Sequence, residues 1–171
     1  MSTATEERDI IYADRDHCVG VHGSTVVAFS LQPPNPMCLA AWTAALVQLA
    51  QRSDAPVSIL IIVDSGARPP DDGTKREIQR VTSRHADSIG AFAYVIEGEG
   101  FGAAALRSAM SLMSLAARYP YPQKVFKSVG DAVAWMLLRA TGKSGDGVAV
   151  ASILAIVERM RQRLKPLAAA M

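Results

Sequence analysis

Residues 57–66 read VSILIIVDSG, and the fold turns on this stretch. From Val57 to Val63 every residue but Ser58 is apolar, with β-branched side chains and no alternation. Such a run is too short for a buried helix and fits a strand covered on both faces, as in parallel sheets. On its N-terminal side, Leu39, Trp42, Leu46 and Leu49 recur at three-and-four spacing, which predicts a helix with one face on the sheet. Asn35-Pro36 supplies a cap followed by proline at the first helical position. On its C-terminal side, a loop from Asp64 to Gly73 leads to a helix predicted to open at a Thr74-x-x-Glu77 capping box.

Farther out the alternation continues. Ala91 to Ile96 reads as a strand, Phe101 to Arg118 as a helix, Val125-Phe126 as a short strand and Ser128 to Ala140 as a helix, an order that calls for parallel crossovers. Before the first helix, Ile10–Tyr12, His17–Val21 and Thr25–Leu31 are β-rich runs separated by ADRD and by His22-Gly23-Ser24, which predicts an antiparallel opening. The fold class is therefore α/β, a mixed sheet with helices packed on it. Beyond Gly142, the KSGDG break leads into a helix whose Val150, Ile153, Val157, Met160 and Leu164 recur at roughly heptad spacing. The chain divides into a polar tail (1–8), an α/β domain (9–141), a linker (142–147) and an amphipathic C-terminal helix with its tail (148–171).

With 171 residues, half of them apolar and a fifth charged, the chain is long enough to bury one core without disulfides or metals. A net charge of +2 gives no global field for nucleic acid. No apolar run reaches the roughly 20 residues of a membrane span, and the N-terminus MSTATEERD lacks the apolar core of a secretory signal, so the cytoplasm is the expected location. Cys18 and Cys38 are expected to be reduced and packed.

The element order, LIIVDSG at the end of the central strand and VFKSVGDAVAWM near the end together resemble the STAS domain, the family of anti-sigma-factor antagonists and sulfate-transporter tails, in its divergent STAS-like bacterial branch. The resemblance covers about residues 9 to 140. It implies a regulatory protein that signals by protein binding, with the region after the central strand as its partner surface. In phosphorylatable STAS proteins a serine lies in an Asp-Ser-Ser-Gly type loop; here Asp64-Ser65-Gly66 lacks the second serine and is followed by the longer ARPPDDG.

Features that could carry chemistry fall short of a catalytic constellation. Gly98-Glu99-Gly100-Phe101-Gly102 lacks the third glycine of a dinucleotide loop and sits among acids, so it reads as a tight strand-to-helix turn. His17, Cys18 and His22 cannot share a metal because His17 faces away from the other two on a strand. Asp64, Ser65 and His85 lack a nucleophile elbow. No catalytic residue, cofactor or metal is predicted.

Two surfaces remain. Lys75, Arg76, Arg80 and Arg84 line one helix face, and with Asp64, Ser65, Arg68 and Thr74 they form a candidate partner or regulatory loop suited to an acidic protein; a phosphate on Ser65 or Thr74 would pair with Arg76 or Arg80. Phe101, Leu106, Met110, Leu112, Met113 and Leu115 spread over about two-thirds of their helix, more than the 100° or so that one sheet can cover. Met110, Met113, Val150, Ile153, Val157, Met160 and Leu164 are therefore expected at a self-association surface, in a homodimer or larger closed oligomer. The leading expectation is a non-enzymatic STAS-like protein acting through protein contacts. The alternative is a small-molecule or lipid-binding module, which requires a sizeable apolar cavity between helices and sheet.

Overall fold

A computed structural model describes residues 9–52, 54–64, 66–141 and 147–168. Three strands open the chain: β1 (Ile10–Ala13), β2 (His17–His22) and β3 (Thr25–Ser30), each antiparallel to the last. The β2–β3 hairpin turns in two residues, Gly23 and Ser24, and Gly23 takes the left-handed φ of 56° that such turns favour. Then come α1 (Pro36–Arg52), β4 (Val57–Val63), α2 (Asp72–Arg84), β5 (Ile89–Ile96), α3 (Phe101–Ala117), β6 (Gln123–Phe126), α4 (Val129–Thr141) and α5 (Gly147–Ala168). One six-stranded sheet runs in the order β1-β2-β3-β4-β5-β6, parallel from β3 onward.

That order settles which face each helix takes. Strands β3 to β6 are added in one direction, so right-handed crossovers place α1, α2 and α3 all on the same face. There Val26, Ala28, Ile59 and Phe92 meet Leu39, Trp42 and Leu46 of α1 and Val81 of α2. The opposite face, with Cys18, Val27, Phe29, Leu60, Ile62 and Ala93, is left to the two helices that come after β6 in the chain. Helix α4 covers β4 to β6 through Val133 and Met136, and α5 covers β1 to β3.

Caps reflect local chemistry. Asn35 Oδ1 accepts from the Cys38 N–H at 2.8 Å, as the Asn35-Pro36 pair predicts. The start of α2 differs from expectation. Asp71, not Thr74, is the cap, its Oδ1 accepting from the Thr74 N–H at 2.7 Å, and Glu77 turns instead to Arg80. An aspartate after two prolines fixes the helix start earlier than the threonine would.

The seam of α5 requires a correction. Ile153, Val157, Met160 and Leu164 are buried, with Ile156, against this chain's own sheet and α4, and Val150 packs at the edge of the same cluster. A second copy is therefore not needed to cover them. Polar clamps flank the seam: Arg159 donates to Asp9 at 2.9 Å, and Arg161 pairs with Glu97 while lying over the Phe29 ring. At Gly20 the Asp9 backbone comes so close that a Cβ there would sit 2.8 Å from its carbonyl oxygen, while Ile156 of α5 would lie in ordinary contact at 3.6 Å.

Candidate functional site: an apolar cavity under α2 and α3

The alternation of strand residues puts Ala28 and Ser30 of β3, Ile61 and Val63 of β4, and Phe92 and Tyr94 of β5 on the face shared with α1, α2 and α3. Over their carboxyl-terminal halves the helices do not close on the sheet. Helix α2 is anchored toward its C-terminal end, where Val81 and Thr82 are buried, because its apolar stripe is thin; Lys75, Ile78 and Gln79 before them line open space. Helix α3 contributes Leu106, Ala109 and Met110 to the far wall. Between them lies a cavity of about 430 Å³, within the range of small-molecule sites.

Its walls are mostly apolar and its rim is stiff. An aromatic series forms one side: Phe92 stacks with Tyr121 at 6.0 Å and tilts on Tyr94 at 4.8 Å, and Tyr121 stacks with Tyr119 at 5.3 Å. Burial holds the Tyr94 phenol well above its ordinary range, so this wall stays neutral. Pro33-Pro34 in the β3–α1 loop and Pro69-Pro70 in the β4–α2 loop line the opening, and each proline fixes its own φ.

The first of these loops is fastened from below. His17 is buried; its Nε2 lies 2.9 Å from the Pro33 carbonyl oxygen and 3.2 Å from that of Gln32, and its Nδ1 lies 3.0 Å from Asp14. Asp14 also accepts from the Tyr12 hydroxyl at 2.5 Å, the Asn35 amide at 2.7 Å and the backbone N–H groups of Asp16 and His17. Burial by itself would raise the Asp14 carboxyl. Hydrogen bonds from Tyr12, Asp16 and Asn35, with the His17 ring beside them, outweigh it and hold Asp14 well below the usual carboxylate range.

The residues singled out from sequence are dispersed over several places. Asp64 ends β4 and turns the chain, its Oδ1 accepting from Gly66 N–H at 2.8 Å; Ser65 lies outside the described residues. Arg68 and Lys75 line the cavity. Thr74 sits in the first turn of α2, while Arg76, Arg80 and Arg84 point to solvent, with Arg80 held by Glu77 at 2.6 Å. Glu97 follows β5 beside the end of β4, its N–H donating to Val63 O at 3.3 Å, and Arg161 engages its carboxylate. The Gly98–Gly102 turn presents carbonyls rather than a phosphate cradle: Arg107 donates to Ile96 O at 2.9 Å and Gly98 O at 3.0 Å.

Helix α3 resolves into two faces. At about 100° per residue, Leu106 and Met110 lie about 140–180° around the helix from Phe101, and they face the cavity. Phe101, Leu112 and Leu115 lie on the outer side and are 90%, 67% and 77% exposed. Helix α5 cannot cover them from the other side of the sheet, and the side chain of Met113 lies outside the described residues. Both cysteines are free and buried, and burial pushes the Cys18 thiol up to about 11 and the Cys38 thiol up to about 12, far from a reactive thiolate. Among the described residues no cluster of three His, Cys, Asp or Glu is placed to hold a metal, and no helix is long and apolar enough to cross a membrane.

Sequence reasoning missed the cavity rim. The signal was present as two Pro-Pro pairs, each just after one of two adjacent parallel strands, at the carboxyl end where open α/β sheets bind ligands. Comparison with known proteins finds no matching family model and no matching curated protein. The chain is similar to the crystal structure of an uncharacterized DUF3478-family protein with a SpoIIAA-like fold from Shewanella loihica PV-4: 14% identity and a TM-score of 0.52, covering 73% of this chain and 97% of that one. At this identity the likeness speaks to the fold, and the chain has a SpoIIAA-like, STAS-like α/β fold.

Proposed function

We propose that this protein is a non-enzymatic STAS-like module that binds a small, largely apolar molecule between its sheet and α2–α3. The cavity carries the reading: about 430 Å³ of space walled by Trp42, Ile61, Phe92, Tyr94, Leu106 and Met110. An open, mostly apolar concavity of this size between helices and sheet has the form of a small-molecule site. The stiff proline rim and neutral aromatic wall support a preformed site. A neutral solvatochromic dye such as Nile red should bind saturably at one site per chain. Ala109→Trp, which puts an indole into the cavity from α3, should weaken that binding roughly tenfold or more while leaving the unfolding midpoint close to that of the parent. Dye binding that does not saturate, or that ignores the filled cavity, counts against the site.

A second reading, self-association, rests on the outer face of α3. Phe101, Leu112 and Leu115 form one exposed apolar strip, and such strips mark contact sites more often than bare surface. A symmetric pair of α3 helices would cover it without disturbing the cavity behind. Light scattering at tens of micromolar should give a dimer mass, and Leu112→Glu with Leu115→Glu should reduce it to that of the monomer. A parent protein that is monomeric at that concentration removes this reading.

A further inference from the structure

Resting on the cavity reading, the charge distribution around the opening points, we infer, to an amphipathic anion as ligand: an apolar body in the cavity and one carboxylate at the rim, held by Arg68 and Lys75. Among the described residues two cations and no Asp or Glu line the cavity, so the charged side chains that a ligand there can touch are positive. Arg68 makes no ion pair among the described residues. Lys75 pairs with Asp72 at 3.2 Å, and that carboxylate is 82% exposed; an exposed pair of this kind is weak enough to exchange partners.

The two cations line one cavity for a structural reason. Arg68 precedes Pro69-Pro70 in the loop after β4, and Lys75 belongs to the first turns of α2, so both come from one short stretch of chain after β4. A guanidinium fork matches a carboxylate in two parallel hydrogen bonds, and the ammonium adds charge without fixed geometry. The uncharged polar lining, exposed Gln32 and Gln79 with buried Ser30, supplies hydrogen bonds but no counter-charge. Gln123 donates to Ser114 Oγ at 2.6 Å and Ser114 donates to Met110 O at 2.9 Å, so these two polar lining groups are engaged within the chain and the other walls are left to the apolar part of the ligand. A cationic amphiphile would meet two like charges, and a neutral one would leave Arg68 without a counter-charge.

Isothermal titration of the full chain with decanoate, decanol and decylamine tests this. The acid should bind roughly tenfold or more tighter than the alcohol, and the amine weakest. Raising the ionic strength should weaken the acid and leave the alcohol unchanged. Arg68→Gln should remove most of the preference for the acid without changing the affinity for decanol; Lys75→Gln is the second variant should the first fail to fold. Equal affinity for acid and alcohol overturns the anion inference while the cavity reading stands. Binding of none of the three overturns both.

Discussion

A chain ending at Thr141 is expected to lose the native fold and to aggregate. The sheet is six strands wide, about 24 Å at about 4.8 Å per strand, and a helix with its side chains is about 10 Å across. On the face opposite α1–α3, among the described residues, α4 covers β4 to β6 and α5 covers β1 to β3. Removing α5 bares Cys18, Val27 and Phe29, and takes away Ile153, Ile156, Val157, Met160 and Leu164, all buried. At about 1.5–3 kcal/mol for each of five side chains, the loss is about 8–15 kcal/mol, as large as the whole stability of an ordinary domain. Far-ultraviolet circular dichroism and light scattering on the truncated chain should show lost cooperative melting and large particles. A truncated chain that melts cooperatively as a monomer would show that α5 is an accessory. A graded version is Met160→Ala, which should cost about 2–5 kcal/mol and lower the denaturation midpoint without changing oligomeric mass.

How much of this was legible in the sequence depends on whether a feature is local. The run Val57–Val63 announced a doubly covered strand because its lack of alternation is itself the record of two buried faces. Asn35-Pro36 announced α1 for a similarly local reason, and the capping carboxylate of α2 was misplaced by three residues because Asp71 and Thr74 are both competent caps. The apolar seam of α5 was legible as a seam, but its mate was not. Periodicity says that a face must be covered and is silent on by what. The decision came from strand order: with β3 to β6 added in one direction, three helices fall on one face and the other is left for the C-terminal pair.

The cavity was illegible for a different reason. An absence of atoms has no residue to mark it, and the wide apolar arc of α3, read as a single surface, is two: Leu106 and Met110 toward the cavity, Phe101, Leu112 and Leu115 toward solvent. The thin stripe of α2 hinted that this helix could not seat fully on the sheet, and the two Pro-Pro pairs marked the loops beside it. Arg68 was singled out as part of a partner loop, and its place at the lip of a cavity results from the turn that Asp64 and Gly66 make after β4.

Asp14→Ala should be the most damaging single substitution outside the apolar core, and its effect should reach the cavity. One carboxylate accepts from Tyr12, Asn35 and the backbone N–H groups of Asp16 and His17, and faces the His17 ring. Truncating it strands these donors together, and His17 is buried, so a loss of about 3 kcal/mol is expected. The native-state pKa of Asp14 is depressed, so its contribution is fully present above the unfolded-state value of about 3.9 and is lost as pH falls through the lower native-state value. Urea-unfolding free energies should therefore fall from about pH 4 downward in the parent, and Asp14→Asn should show a flatter acid limb from a lower plateau. An unchanged acid limb in Asp14→Asn would mean that other carboxylates carry the acid sensitivity. His17 and Asn35 transmit the change to the rim: His17 Nε2 holds the Gln32 and Pro33 carbonyls, and Asn35 caps α1 directly behind them. With its anchor gone, the Gln32–Pro34 wall loses its fixed position, and Nile red affinity should drop together with stability. Dye affinity unchanged in a folded Asp14→Ala protein would show that the proline rim holds the opening without the network beneath it.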